Sequence, residues 1–382
     1  MRLVASLGAG GVLYLTPMVF HREDFSAASV GAGLALAALA GTLARFASGA
    51  LLDRGNSCGL PVLLAGLAGV LGDGLLLGAE QFPAYAAGQL LLGTAAGLYW
   101  PAVELAVPLC AAPQSSARGY ALARSADALG VAAGALLGAL LSGLGKLRGI
   151  YLLDMAAVLV LVSLLLLRPL PRAPRSPGGR SNLPVGRWLP ALLPMLALSV
   201  VATAIPALMQ SALPLDLVQG GLERPAQPET ISALLIGLQL GLLVLIQWPV
   251  GQALARRSVA VGLGISMLCF TAGSGLLALS VLSSHGIGLV ILAQLPLALG
   301  EAAFLPTATE AVVELSPEGH QGLAMALFSQ CFAVSAFGAP LLGGLILDQS
   351  GHGGGLWLLV AIVCSLSLLL LGPIRRRARL KG

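Results

Sequence analysis

The chain has 382 residues, of which 57% are hydrophobic and 10% charged, with a formal net charge of +5. A soluble domain carries roughly 25% charged residues, so this chain has too few to cover a surface facing water. Lipid is therefore the expected solvent for most of it, and a soluble globular protein is excluded. Glycine is abundant, at 50 residues. Helices in lipid gain little from hydrophobic contact with one another, and small residues that allow close backbone approach take over that role. Cys58, Cys110, Cys269, Cys331 and Cys364 show no paired spacing and read as small apolar residues, not as a disulfide framework. The four histidines fall singly in polar connections, so no metal site and no cofactor is expected.

Apolar stretches of spanning length follow one another along the chain. The first, 3–20, lies behind Arg2 and has the look of a signal peptide. No small-x-small cleavage site closes it, and His21-Arg22-Glu23-Asp24 follows at once, so it is predicted as an uncleaved span. Five more run over 28–52, 60–79, 84–111, 119–143 and 150–167. The segment 168–187, rich in Pro, Gly and Ser with five arginines, is predicted as a polar linker. Six further spans run over 188–213, 230–254, 259–282, 287–313, 322–347 and 355–373, before a short basic tail. The expected fold is all-α: twelve transmembrane helices in two six-helix bundles, 1–167 and 188–382, joined by the linker.

Lys and Arg give the expected orientation. With the N-terminus cytoplasmic, inside segments hold fifteen: Arg2, Arg54, Arg118, the five linker arginines, Arg256, Arg257, Arg375, Arg376, Arg377, Arg379 and Lys381. Outside connections hold four, namely Arg22, Lys146, Arg148 and Arg224. Fifteen against four puts both termini in the cytoplasm. The basic residues are strung along one membrane face, which speaks against nucleic acid as a partner. No P-loop is present, so ATP is not the expected direct energy source.

The halves repeat at an offset of about 202–206 residues. Gly49-Ala-Leu-Leu-Asp53-Arg54 corresponds to Gly251-Gln-Ala-Leu-Ala255-Arg256, Tyr99-Trp100-Pro101 to Phe304-Leu305-Pro306, and Gly134 through Gly138 to Gly338 through Gly343. Duplicated six-helix halves are an architecture of secondary transporters. On these residues the chain resembles the major facilitator superfamily over essentially its whole length. Gly49-x-x-x-Asp53-Arg54-Gly55 is similar to that family's signature loop between spans two and three, although Asn56, Ser57 and Cys58 stand where further basic residues are usual. Gly130-x-x-x-Gly134-Ala135-x-x-Gly138-Ala139 resembles its antiporter motif, with Ala135 for the usual proline and Ala139 for the last glycine. The arginine that drug exporters carry near the position of Gly93 is absent. The resemblance implies a drug/proton-antiporter-like transporter, with Gly49, Asp53, Arg54 and Gly55 as a gating motif. Gly130, Gly134, Gly138, Gly338 and Gly343 are expected to pack helices.

An ionisable residue inside a span costs at least a few kcal/mol, so each needs a reason. Arg45, Glu104, Arg124 and Asp127 all lie roughly 8–12 Å from the cytoplasmic face at 1.5 Å per residue. They are expected to form an ion-paired cluster that could carry a proton. Glu301, near the middle of span ten, has no cation near it in sequence and suits proton binding or a cationic solute. Asp73 and Asp154 lie in spans three and six, peripheral in the resembled family, and are read as structural. Tyr14, Tyr99, Trp100 and Phe304 are candidates for the wall of a substrate cavity. The sequence thus points to secondary active transport of a small solute by alternating access, as proton-coupled export. An uptake symporter or facilitator is the alternative, and a lipid-handling protein or a membrane-embedded enzyme stands further off, since no metal-ligating or catalytic cluster is present. The expected partners are a small-molecule substrate, protons and the lipid bilayer, with the chain monomeric in a bacterial cytoplasmic (inner) membrane.

Overall fold

The computed structural model describes residues 1–111, 116–172, 185–254, 257–316, 321–372 and 374. Among them the secondary structure is helical apart from one isolated bridge. In chain order the helices are α1 (Arg2–His21), α2 (Ala27–Asp53), α3 (Gly59–Leu77), α4 (Phe82–Ala111), α5 (Ser116–Gly143), α6 (Gly149–Leu167), α7 (Val185–Gln219), α8 (Glu229–Leu254), α9 (Val259–Ser280), α10 (Gly286–Leu315), α11 (Gln321–Ser350) and α12 (Gly354–Ser367). Eleven are long and apolar enough to cross a membrane, and the twelfth apolar segment, Gly354–Leu370, is shorter and ends in a 3-10 turn. Large apolar side chains stand outward on these helices: Leu140 is 64% exposed, Leu159 59% and Leu167 76%. Helices apolar on every side have no water-facing stripe, and only lipid accommodates them.

The ends of the helices follow from local chemistry. Ser26 opens α2 by accepting the Ser29 amide at 3.1 Å. Arg54 and Gly55 close it: Gly55 has φ 77° and its N–H returns to the Leu52 carbonyl at 2.8 Å. Asn56 adds a side-chain bond to the Leu51 carbonyl at 2.9 Å. The loop that follows is tied to the start of the linker, since Ser57 Oγ donates to Leu170 O at 2.9 Å and Cys58 N to Pro171 O at 3.0 Å.

The chain divides into two compact units, Met1–Gly178 with Pro228–Gly237, and Gly179–Gln227 with Leu238–Gly382. In the first, α1 packs on α5 and α6, α2 on α4, and α3 on α4 and α6. In the second, α7 packs on α11 and α12, and α9 on α10 and α12. The pairings α1–α5, α1–α6, α3–α4 and α3–α6 thus recur one half later. The extensive α2–α4 pairing has no counterpart between α8 and α10 among the described residues.

Glycines make the closest of these contacts. A Cβ at Gly130 would lie 2.5 Å from the Leu3 carbonyl oxygen, one at Gly134 would strike the Leu7 carbonyl oxygen, and one at Gly138 would strike Leu15. All three therefore seat α5 against α1. A Cβ at Gly343 would lie 3.0 and 3.1 Å from Leu208 and Ala212 of α7, while one at Gly338 or Gly49 would meet open space. Gly134→Ala should therefore lower the melting temperature of the purified protein, because forced overpacking costs about 1–3 kcal/mol. Gly338→Ala should leave it unchanged or raise it slightly, since alanine is the better helix former by roughly 0.5–1 kcal/mol. Shifts of the same sign and size in both variants would contradict this packing.

Candidate functional site

In the first unit Asp127 and Glu104 gather around one cation, Arg2, in the first turn of α1. Its side chain is 8% exposed. Arg2 Nε donates to Asp127 Oδ1 at 2.9 Å, and Nη2 closes a second bond on Asp127 Oδ2. This two-pronged geometry is the stronger form of a guanidinium–carboxylate pair. Both terminal nitrogens also reach Glu104 Oε1 at 3.3 Å. Ser6, one turn along α1, donates to Asp127 Oδ1 at 2.9 Å. The guanidinium carbon lies 5.0 Å from the centre of the Trp100 ring, a cation–π contact worth more away from water. Tyr99 stacks edge-on with Trp100 at 5.8 Å, and its hydroxyl is buried without a hydrogen-bond partner among the described residues.

The arrangement follows from the helix packing. Gly130, three residues beyond Asp127, lets α5 approach α1 at Leu3 and Ser6, which brings the Asp127 carboxylate over Arg2. Glu104 and Trp100 are four apart on α4 and so share a face. The cluster thus joins α1, α4 and α5. Arg45 of α2 is not part of these pairs: its Nε is buried without a partner among the described residues. The side chain of Arg124 lies outside the described residues, as does that of Asp53. Arg54 is exposed.

In the second unit Glu301 lies mid-way along α10, half-buried, with no hydrogen bond or ion pair among the described residues. The adjoining Gly300 carbonyl accepts Ser266 Oγ at 2.8 Å, which ties α10 to α9 beside it. Phe304, one turn further on, is buried and meets Phe328 of α11 with ring centres 6.5 Å apart. Tyr14 is buried in α1.

Sequence reading missed two features. It counted Arg2 as a cation at the membrane edge, whereas the side chain turns into the first unit. It also counted Arg224 as an outer-loop cation. Arg224 is 2% exposed and pairs with Asp216 at 2.9 Å. Asp216 further accepts the Gly353 amide at 2.7 Å and Trp357 Nε1 at 2.9 Å, and Arg224 donates to Ser280 Oγ at 2.7 Å. This network closes one end of the second unit across α7, α9 and α12. Asp216 sits at the end of an apolar helix and Arg224 lies beyond a turn, so no helical spacing links them in sequence.

The cluster makes an asymmetric prediction. Arg2→Gln leaves two carboxylates without their cation, and removing one partner of a buried pair costs about 3–5 kcal/mol. Asp127→Asn leaves Arg2 on Glu104 and should cost less. Arg2→Gln combined with Asp127→Asn should recover part of the loss of Arg2→Gln alone. Melting temperatures of the three variants check this order, and additive losses would contradict it.

Comparison with known proteins identifies the family and the fold. The family profile of the Major Facilitator Superfamily matches residues 1–270 and 187–381. A search of curated proteins by sequence found no match. Among solved structures the fold is similar to the nucleoside transporter NupG, with a TM-score of 0.76 and 15% identity over 98% of this chain and 96% of that one. It is similar also to a peptide transporter POT in complex with sulfate, with a TM-score of 0.78 and 14% identity over 99% and 94%. A POT family transporter in complex with a thioalcohol-conjugated peptide gives a TM-score of 0.77 and 13% identity over 97% and 93%. At these identities the likeness is one of fold. The profile covers the chain from end to end, and the chain belongs to the major facilitator superfamily: it is a multi-pass membrane transporter and not an enzyme.

Proposed function

We propose that this chain is a proton-coupled secondary transporter that exports a small solute by alternating access, oriented with both termini in the cytoplasm of a bacterial cell. The observation that carries the coupling is Glu301, a carboxyl group midway along a membrane-spanning helix with no partner among the described residues. A carboxylate in that position is retained for a function, and proton or cation binding is the chemistry open to it. The Arg2 cluster supplies a second protonatable element. A proton arriving on Asp127 or Glu104 would cancel a charge that holds Arg2 and so loosen α1 from α4 and α5. Tyr99 and Trp100 offer an aromatic surface beside it, suited to an amphipathic or apolar solute. The antiporter-like glycines Gly130, Gly134 and Gly138 support export, and the basic bias, fourteen to three once the buried Arg2 and Arg224 are set aside from fifteen and four, supports the orientation. The Gly49, Asp53, Arg54 and Gly55 loop serves in this reading as the gating element.

A second reading on the same fold is uptake by symport or facilitation, with a small solute of the kind that the nucleoside and peptide transporters of similar fold are named for. Transport in reconstituted vesicles separates the two. Under export by exchange with protons, the solute accumulates in the compartment that is the more acidic, and a protonophore abolishes accumulation. Under symport it accumulates in the opposite compartment, and a facilitator ignores the protonophore.

Glu301→Gln keeps nearly the same volume and removes no charge from an ion pair. The variant should fold and insert as the parent does, lose accumulation driven by a pH gradient, and keep solute exchange. Uphill transport equal to the parent's would exclude Glu301 as the coupling group and leave Glu104 and Asp127.

A further inference from the structure

The first unit holds two other intramembrane carboxyl groups, Asp73 on α3 and Asp154 on α6. Asp73 is 0% exposed and Asp154 7%. Their carboxyl groups stand close enough to interact. Neither oxygen of Asp73 accepts a hydrogen bond from any N–H or O–H among the described residues. The space for the pair is built in, because a Cβ on Gly8 of α1 would collide with Asp154 Oδ1. Three helices thus enclose two acids that face one another.

Among the described residues no cation pairs with either carboxyl group. Arg148, at the start of α6, is committed to Glu23 at 2.8 Å and to the carbonyls of Leu77 and Ala79 at 2.6 and 2.8 Å. Arg2 is committed to Asp127 and Glu104. The remaining titratable neighbours are phenols. Tyr151 of α6 gives its hydroxyl to Thr16 Oγ1 of α1 at 3.2 Å, and Tyr85 of α4 gives its own to the Val30 carbonyl at 2.8 Å. Two bare anions at this separation inside lipid would each bear a desolvation cost of several kcal/mol and repel one another as well. A buried acceptor with no donor calls for a group that the protein does not itself supply.

We propose that Asp73 and Asp154 form a second cation-binding site, which holds one positive charge, a proton or a sodium ion, between the two carboxyl groups. With a proton, one carboxyl keeps its O–H and donates it to an oxygen of the other, leaving one net negative charge shared by the pair. With sodium, carboxylate oxygens from both helices are the ligands, in keeping with the preference of hard cations for oxygen. Either occupant ties α3 to α6. The site is separate from the Arg2 cluster and from Glu301, and its test reads binding through stability without recourse to flux.

The test is thermal unfolding of the purified full chain in detergent, in two series. One replaces choline chloride by sodium chloride at fixed pH and ionic strength. The other varies pH in choline chloride. If the occupant is sodium, the melting temperature rises by several degrees as sodium replaces choline, because a ligand that binds only the folded state stabilises it. If it is a proton, the folded state binds one more proton than the unfolded chain near neutral pH, so stability is highest at mildly acidic pH and falls as pH rises. In either case Asp73→Asn and Asp154→Asn, each of which places an amide donor against the remaining carboxyl, should abolish the sodium dependence or clearly reduce the pH dependence, to which Glu301 adds its own share. Should a single variant fail to fold, the double variant Asp73→Asn with Asp154→Asn gives two amides that can bond to each other with no cation. A parent indifferent to both sodium and pH overturns the proposal, and so does a dependence that survives undiminished in the variants.

Discussion

A charge inside lipid has to meet its compensation within the protein, and this constraint shapes much of what is distinctive in the chain. With only 10% charged residues, each ionisable group in a span is exceptional, and each of those described has a particular setting. Arg2 is shared by Asp127 and Glu104, so a single guanidinium joins α1, α4 and α5. In the second unit the Arg224–Asp216 pair does comparable work for α7, α9 and α12, with Trp357 and the Gly353 amide using the remaining acceptor capacity. Pairs of this kind are weak contributors to net stability, since desolvation offsets most of the attraction, but breaking them is costly. They favour one register of the helices over its neighbours.

Packing makes the pairs possible. Without a hydrophobic drive between helices, backbone approach depends on small residues, and glycine provides it along the α1–α5 seam at Gly130, Gly134 and Gly138. The same seam places Asp127 over Arg2 and Ser6. The α2–α4 contact works alike: Ser48 Oγ reaches the Leu98 carbonyl at 2.9 Å, and Gly93 and Gly97 lie against Ala37 and Gly41. The glycine content of the chain is thus the means by which its few charges come together.

The architecture was legible because it rests on one-dimensional signals. Apolar runs of roughly spanning length, broken by short polar turns, mark most of the helices to within a few residues, although α7 runs on from the expected 213 to Gln219 and α12 gives way to a 3-10 turn after Ser367, short of the expected 373. Gly55 marks the end of α2 through the positive φ that its turn requires. The site was legible only in part. Depth counting grouped Glu104 and Asp127, which do converge, but it could not supply Arg2. A residue at the head of a span reads as an edge cation unless the tilt and packing of α1 are known. The same limit hid Arg224, which a loop carries back into the bundle. Asp73 and Asp154 read as structural because spans three and six are peripheral in the resembled family. Their meeting depends on the contact between α3 and α6, a tertiary fact.

The central claim is that solute movement through this fold is tied to movement of protons. It is tested most directly by a pH indicator trapped inside vesicles that contain the purified protein. A transported solute is supplied on one side with no pH gradient imposed. The account predicts that the solute gradient alone drives protons in the opposite direction, in a fixed ratio to solute moved. Solute entry with no change in internal pH beyond that of protein-free vesicles would contradict it.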